Sequence, residues 1–483
     1  MSPNVVSLGA LVAGLTAAVI VPGNPIGLGV VVVALLVGGV VVAARPTEMS
    51  IHSICFGSLA AALASMAGIR SAGWVVWTDL LGAAGFASLA VAGGETWRAV
   101  VRGVVAAAAS LFRGLGFVVQ PLRERIGPLV RGRSAPVMRG VAIGMGLLVV
   151  FGALFASADR AFLHLATRLF SPDVEVSEFP ARAYLLVFFT ALTGALVVVG
   201  PRFAPVTDEN AFGDSHPRRT LGFPEWGMAL GLLNALFAIF VVVQLTVFFG
   251  GRDHVLDTVG LSYAEYARSG FFQLVYVALL VLGVIAASVR WARADSKREM
   301  LALRGLMGLL CVLTLIVLGS ALKRLMLYED VYGLTRLRIS VHASILLIAV
   351  VFMFLIIAGL LWKGDWLPRA FAYLAGISLL VFSLANPEGL IARQNADRFE
   401  RTGNVDVAYL QTLSADAALS LDGLSPVDRK CILLRIGLTL PAEESWPSFN
   451  LARHSARSAV ADARSSLVDE ACYQQSYYEF LAP

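Results

Sequence analysis

Apolar runs long enough to cross a lipid bilayer recur along this chain, and they restrict its fold more than any other feature. A spanning helix needs about 20 apolar residues, and roughly eleven runs meet this length. They cover residues 5–21, 26–44, 51–69, 74–92, 137–157, 183–200, 226–249, 270–289, 302–322, 340–362 and 367–385. Only 15% of the 483 residues are charged, against about 25% in a typical soluble domain. The sequence therefore predicts an all-α, polytopic transmembrane helix bundle whose solvent is the lipid bilayer.

The basic residues between the runs predict the orientation of the chain. The connection at 93–136 is rich in arginine, and short basic connections stay in the cytoplasm. Counting spans from there places the N-terminus in the cytoplasm and residues 386–483 outside it. The segment 323–339 should also lie outside, yet it carries Lys323, Arg324, Arg336 and Arg338. Either the span count is wrong by one at this segment, or these cations have a role there.

Composition divides the chain into four parts. Residues 1–92 are predicted to form an N-terminal four-helix transmembrane segment, and 93–136 a basic cytoplasmic loop. Residues 137–385 are predicted to form the core transmembrane bundle. Residues 386–483 have the polar composition of a soluble protein, so a small helical extramembrane domain is expected there.

The loop at 93–136 contains an apolar stretch, 97–119, that three arginines interrupt. At 100° per residue, Arg98, Arg102 and Arg113 fall within an arc of about 60°, so they form one basic stripe on a helix. This pattern is typical of an interfacial helix that lies on anionic lipid. The alternative is a buried helix whose long arginine side chains reach the headgroups.

The C-terminal domain opens on a helix-start signal and contains two cysteines. Asn386-Pro387-Glu388 supplies an N-cap, a proline at the first helical position and a first-turn acid. If the domain lies outside the cytoplasm, Cys431 and Cys472 could form a disulfide. Two free thiols are the alternative.

Seven polar residues are placed by the predicted topology at the outer face of the bundle. They are Asp79, Arg336, Arg338, His342, Asn386, Arg393 and Asn395. An ionisable group inside the membrane costs roughly 2.5–3.5 kcal/mol, so Asp79 is expected to pair with one of these arginines. The set could form an outward-facing pocket for an anion or a lipid headgroup, because guanidinium groups suit phosphate and carboxylate. Alternatively, Arg336 and Arg393 could clamp the C-terminal domain onto the helix ends.

Signatures of enzymes, metal sites and nucleic-acid binding are missing from the sequence. No HExxH, CxxC, P-loop or dinucleotide motif occurs in a suitable context, and no histidine stands at ligand spacing from another. No basic stripe with interleaved aromatic residues indicates nucleic acid as a partner. The sequence therefore predicts no catalytic residue, no metal and no cofactor.

Two further polar residues of the 226–249 run, Asn234 and Gln244, could line a polar path or form hydrogen bonds between helices.

Four strings of residues resemble a known family. They are Tyr332-Gly333-Leu334-Thr335-Arg336-Leu337-Arg338, Asn386-Pro387-Glu388-Gly389-Leu390-Ile391-Ala392-Arg393-Gln394-Asn395, Leu413-Ser414-Ala415-Asp416-Ala417 and Trp446-Pro447-Ser448-Phe449-Asn450-Leu451-Ala452-Arg453. Together they resemble bacterial multi-pass membrane proteins grouped as domain of unknown function 4173, a family related to 4153. The resemblance covers the chain from about residue 150 onward and implies a bacterial plasma-membrane protein. It implies no activity.

These observations lead us to expect a non-enzymatic scaffold or regulatory membrane protein whose C-terminal domain recognises a protein partner. The first alternative is a transporter or lipid-handling permease with an outward-facing polar pocket for an anionic small molecule or headgroup, and the second is a membrane transferase. The hypotheses differ at Asp79. A permease or transferase needs a polar cavity around this side chain, whereas a scaffold requires close packing there.

Overall fold

A computed structural model of the chain describes residues 3–44, 50–126, 179–202, 221–249, 271–361 and 363–465. Within these ranges the chain forms sixteen α-helices and three short 3₁₀ turns, and it contains no strand. A single isolated β-bridge pairs Leu221 with Ala292. The predicted all-α class is confirmed.

The helices differ in length from a single turn to ten turns. In chain order they are α1 (Pro3–Ile20), α2 (Leu28–Ala44), α3 (Ile51–Ser65), α4 (Gly73–Ala92), α5 (Trp97–Ala109), α6 (Leu111–Ile126), α7 (Phe179–Arg202), α8 (Phe223–Phe249), α9 (Phe271–Trp291), α10 (Lys297–Tyr332), α11 (Arg336–Leu361), α12 (Leu367–Leu384), α13 (Pro387–Thr402), α14 (Val407–Leu410), α15 (Pro426–Thr439) and α16 (Leu451–Ser465). The 3₁₀ turns are Met66–Gly68, Ala415–Ala417 and Trp446–Ser448.

Eight of the described helices are long and apolar enough to cross a membrane: α3 with its 3₁₀ turn, α4, and α7 to α12. The helices α1 and α2 are apolar but shorter, and α5 with α6 would make a ninth span if the pair crosses together. The predicted run at 137–157 lies outside the described residues. The chain is therefore a multi-pass membrane protein by the length and composition of its helices.

The chain divides into two compact units. The first comprises Met1–Val206 and Gly437–Ala461, and the second comprises Thr207–Ile436 and Asp462–Pro483. This division cuts through the polar C-terminal region. Residues 386–436 belong with the later transmembrane helices, whereas 437–461 belong with the first ones.

In the first unit, α7 packs along α1 and α6, and α4 packs against α3 and α5. Small residues allow these close approaches. A Cβ atom on Gly114 of α6 would lie 2.2 Å from the backbone nitrogen of Ala195 in α7, so the two helix backbones touch. Apolar side chains such as Val37 and Leu196 fill the space between the helices.

The predicted interfacial helix at 97–119 is two helices in this unit. It breaks at Ser110, and α5 and α6 meet at an angle of 50°. Its three arginines, Arg98, Arg102 and Arg113, are exposed, as a basic stripe requires. Its position on a membrane surface stays a prediction.

In the second unit, α10 is central and packs against α8, α9 and α11. Leu310, Val317 and Phe352 are among the fully buried side chains of this unit. Asn234 and Gln244, the two polar residues of α8 singled out in the sequence, both contact α10. The Asn234 side chain donates to the carbonyl of Leu306 at 3.1 Å, and Gln244 Oε1 accepts from Ser320 and Arg324, each at 2.8 Å. Both residues therefore join helices to each other.

Candidate functional site

The α10–α11 hairpin of the second unit carries three of the seven predicted polar residues, Arg336, Arg338 and His342. With 36 residues, α10 is about 54 Å long at a rise of 1.5 Å per residue. The hydrocarbon core of a bilayer is about 30 Å thick, so part of α10 must extend beyond it. The chain turns back at Gly333, whose φ of 76° is readily adopted only by glycine.

Four side chains join this hairpin to the helix that follows the last span. We call Arg336, Glu388, Asn395 and Arg398 the hairpin cluster. Glu388, in the first turn of α13, is 0% exposed, and a buried carboxylate is stable only if it is paired and hydrogen-bonded. Arg336 Nε and Nη2 both lie 2.6 Å from Glu388 Oε1, and the backbone N–H of Ser414 donates to Oε2 at 2.5 Å. The carboxylate charge is thus neutralised within the protein.

Arg336 has further partners in the segment after α13. Its Nη2 donates to the carbonyl of Thr412 at 2.7 Å, and its backbone N–H donates to the Tyr409 hydroxyl at 2.8 Å. This second bond satisfies one of the free N–H groups at the start of α11. Burial raises the pKa of the Tyr409 phenol above its usual value, although the hydrogen bond from Arg336 and its positive charge oppose the shift. The phenol therefore stays neutral at physiological pH.

The other two members of the hairpin cluster bind carbonyl groups at the end of α10. Asn395 Nδ2 donates to the carbonyl of Leu334 at 2.8 Å. The Arg398 guanidinium donates to the carbonyls of Asp330 and Val331. A cation is favourable at a helix C-terminus, where unpaired carbonyls carry partial negative charge. Arg398 therefore caps α10 from the neighbouring helix α13, and Asn395 binds the turn that follows α10.

Arg338 and His342 lie on the first turns of α11 and interact with α10. The Arg338 guanidinium donates to the carbonyl of Gly333 and lies 4.3 Å from the ring centre of Tyr328, a cation–π contact. His342 Nδ1 lies 3.1 Å from Oε1 of the buried Glu329 and 3.3 Å from the carbonyl of Arg338.

The remaining predicted residues do not all join this group. Asn386 caps α13: its side chain accepts from the Gly389 N–H and donates to the carbonyl of Asp416. Arg393 lies on α13 and is exposed. Asp79 belongs to α4 of the first unit and is 0% exposed. Its predicted pairing with an arginine of the outer set stays a prediction.

Segment 323–339 carries four cations, although the predicted topology places it outside the cytoplasm. The structure describes partners for three of them. Arg336 pairs with Glu388, Arg338 with the end of α10, and Arg324 with Gln244 of α8. Each therefore has a structural role in the second unit.

In the first unit, a second group of side chains joins 444–453 to two turns between membrane helices. We call Glu444, Asn450 and Arg453 the turn cluster. Asn450 Nδ2 donates to the carbonyls of Ala67 and Arg70, in the turn between α3 and α4. Arg453 Nη2 donates to the carbonyl of Ile26, in the turn between α1 and α2. Glu444 lies 3.6 Å from Arg453 Nε and balances its charge.

Only one cysteine of the predicted disulfide, Cys431, lies among the described residues. Cys431 is buried, and the free cysteines among the described residues are Cys55 and Cys311. Cys472 lies outside the described residues. The Cys431–Cys472 pairing therefore stays a prediction.

Sequence reasoning missed several residues of both clusters. The sequence identifies Glu388 only as an acid in the first turn of a helix. It does not predict that Arg336 pairs with this carboxylate. Arg398, Tyr409, Asn450 and Arg453 carried no signal of their own. Two of them lie in the motif strings, but the strings do not reveal their partners, which are distant in sequence.

Comparison with known proteins identifies one family. The model of a family described as a domain of unknown function, DUF4153, matches residues 54–424. DUF4153 is the family named above as a relative of domain of unknown function 4173. Membership in the 4173 family is not shown. No curated protein and no solved structure matches the chain.

Proposed function

Because this chain belongs to the DUF4153 family, whose description states no activity, we propose its function from the arrangement of its own polar side chains. The protein acts as a non-enzymatic scaffold or regulatory protein of the bacterial plasma membrane. The helices provide the anchor, and the polar region from Asn386 onward provides the recognition surface for a protein partner.

The pairing of Arg336 with the fully buried Glu388 carries this proposal. A pocket for an anion needs guanidinium groups that are free to bind it. Here the Nε and Nη2 groups donate to Glu388 and Thr412, and the carboxylate already balances the charge. An incoming phosphate would have to displace a buried carboxylate and then leave it unpaired, which costs several kcal/mol, about 3–5 by analogy with broken buried pairs. The contacts favour the clamp over the pocket.

The recognition surface is expected where the clamp holds the chain in place and apolar side chains remain exposed. Leu419 and Val427 follow the hairpin cluster in the second unit and are both more than half exposed. Exposed apolar side chains on a polar domain are typical of protein–protein contacts when they lie close together. Their backbone is held by the Ala415–Ala417 turn and by α15.

Site-specific photo-crosslinking in the producing cells tests the scaffold role. A photoreactive residue at Leu419 should give one discrete crosslinked protein. The matched control is Leu421, two residues away and fully buried, which should give none. Loss of the product in Arg336→Met, with unchanged protein levels, would link the partner to the clamp. The proposal is rejected if photoreactive residues at Leu419 and at Val427 crosslink only to lipid or give no crosslinked product.

Accessibility at Asp79 tests the permease alternative. Asp79 is 0% exposed, so no water-sized space reaches it in this conformation. In a variant with Cys55 and Cys311 replaced by serine, a cysteine at position 79 should not react with a small charged thiol reagent in nanodiscs. A cysteine at Ser71, in the turn before α4, should react and serves as the control. Rapid reaction at position 79 would favour a water-filled path and a transport function.

A further inference from the structure

From Trp446 onward, the segment 445–451 of the first unit reverses the usual distribution of polar and apolar side chains. Its polar Ser448 and Asn450 are buried, whereas Trp446, Phe449 and Leu451 are 59%, 37% and 49% exposed. A segment that faces water normally exposes its polar side chains and buries its large apolar ones. The pattern favours contact with an apolar environment over contact with water.

The contacts of this segment place it close to the ends of two candidate spans. Asn450 and Ala452 bind carbonyl groups of the turn between α3 and α4, the latter through its backbone N–H to Ile69 at 3.2 Å. The span formed by α3 and its 3₁₀ turn has 18 residues and α4 has 20. At 1.5 Å per residue their lengths are about 27 and 30 Å, which barely match the hydrocarbon core. As spans, these two helices would place the turn at the boundary between acyl chains and headgroups.

The same segment contacts the turn between the two shorter apolar helices. The Leu28 N–H, at the start of α2, donates to the carbonyl of Phe449 at 2.9 Å. A Cβ atom at Gly27 would lie 2.6 Å from that carbonyl oxygen, so the backbones are in direct contact. With 18 and 17 residues, α1 and α2 are about 27 and 26 Å long. If α1 and α2 also cross the bilayer, they bring this turn to the same depth.

The backbone of the segment is also suited to that depth. Polar groups near the hydrocarbon must be satisfied within the protein. Ser448 Oγ donates to the carbonyl of Ser445 at 2.9 Å, and Arg453 Nη2 donates to the carbonyls of Ser448 and Ile26. The internal hydrogen bonds leave the apolar side chains as the outward surface.

We propose that residues 445–451 form an interfacial anchor, which inserts Trp446, Phe449 and Leu451 among the lipid headgroups of the leaflet on that side. The occupant of the surface is phospholipid. Tryptophan is enriched at this level of membrane proteins because its ring is amphipathic. The proposal is independent of the scaffold role, since it concerns how the C-terminal region meets the bilayer and not what it recognises.

Spin labelling of the full-length protein in phospholipid nanodiscs tests the anchor. In the variant with Cys55 and Cys311 replaced by serine, a nitroxide is attached at Trp446→Cys and, separately, at Leu451→Cys. The control label is at Ser458→Cys, an exposed position on α16. Relaxation of each label by oxygen, which concentrates in lipid, is compared with relaxation by a water-soluble nickel chelate.

The anchor predicts that oxygen relaxes the labels at 446 and 451 more than the chelate does, with the reverse at 458. Chelate accessibility at 446 and 451 equal to that at 458 would mean that the surface faces water and would overturn the proposal. Low accessibility to both reagents would mean that protein covers the surface, and this would overturn it too. An unchanged spectrum at 458 in the Trp446→Ala background verifies that the segment still folds.

Discussion

Single residues show how a membrane protein can keep charges out of water without exposing them to lipid. Glu388 is fully buried and lies one residue after the proline that starts α13. It is stable there because Arg336 and the Ser414 N–H surround it. Removing one partner of a buried ion pair costs more than the pair contributes, because the remaining charge is left uncompensated.

Replacing Arg336 should therefore loosen the region after the last span. We expect Arg336→Met to destabilise the attachment of α13 by about 3–5 kcal/mol, seen as faster hydrogen–deuterium exchange across α13. Arg393→Met is the matched control, since Arg393 is exposed on the same helix, and its effect should stay within about 0.5 kcal/mol. Adding Glu388→Gln to Arg336→Met should restore part of the loss. Equal effects of the two arginine substitutions would contradict the clamp.

The Tyr409 hydroxyl should contribute to the free energy of unfolding, and this contribution should depend on pH. Tyr409→Phe leaves the Arg336 N–H without its acceptor and should cost about 1–3 kcal/mol at neutral pH. Burial raises the phenol pKa in the folded state, so folding favours the protonated form. The contribution is complete below the usual tyrosine pKa of about 10 and is lost as the pH rises through the raised value. The difference in exchange between wild type and Tyr409→Phe should therefore narrow above about pH 10. A difference that grows with pH would contradict this assignment.

Among the secondary-structure elements, α10 and the α5–α6 pair depart most from simple spans. The extra length of α10 gives α13 a helix end to bind, which a span that stops at the membrane surface would not offer. The α5–α6 pair bends by 50° at Ser110, and its three arginines are exposed on α5 and at the start of α6. An interfacial position would bring these arginines to the phosphate groups.

Anionic lipid should stabilise the α5–α6 pair through these arginines. In nanodiscs, wild-type protein should unfold at a higher temperature with phosphatidylglycerol than with phosphatidylcholine. Each basic residue near an anionic surface contributes about 1 kcal/mol. The triple substitution of Arg98, Arg102 and Arg113 by glutamine should remove most of the difference, and the triple substitution by lysine should keep it. A lipid dependence that survives the glutamine substitutions would place the stripe elsewhere than at the headgroups.

At the scale of the whole molecule, the described part of the C-terminal region is divided between the two units. Residues 386–436 are bound to the α10–α11 hairpin in the second unit, and 437–461 to two helix turns in the first. In each unit the bound turns must lie on the same side of the membrane as the segment that contacts them. The predicted topology assigns that side to the exterior.

Labelling of intact cells tests this side. With Cys55 and Cys311 replaced by serine, Ser458→Cys should react with a membrane-impermeant maleimide without lysis. The parent variant without the added cysteine is the control and should stay unlabelled if Cys431 and Cys472 are paired. Reaction of Ser458→Cys only after lysis would place the C-terminal region in the cytoplasm. The span count would then be wrong by one, and the disulfide would lose its rationale.

Sequence alone determined the class of this protein, because membrane embedding depends on local quantities. The length and hydropathy of each run decide whether a helix can cross, and the backbone hydrogen bonds of a helix are internal to it. The predicted runs at 226–249, 302–322 and 367–385 accordingly coincide with α8, α10 and α12 within a few residues, except that α10 continues to Tyr332. The N-cap at Asn386 was equally readable, since a cap involves residues three apart.

Only the tertiary structure decided which polar residues meet. Arg336 and Glu388 are 52 residues apart, and Arg453 lies 427 residues from the carbonyl that it binds. Membrane helices that are apolar all round carry little information about which face packs where. The choice of Arg398 over Arg393 as a helix cap depends on which side of α13 faces α10, and that follows from packing. The sequence could name the candidates, but their partners are set by contacts between distant segments.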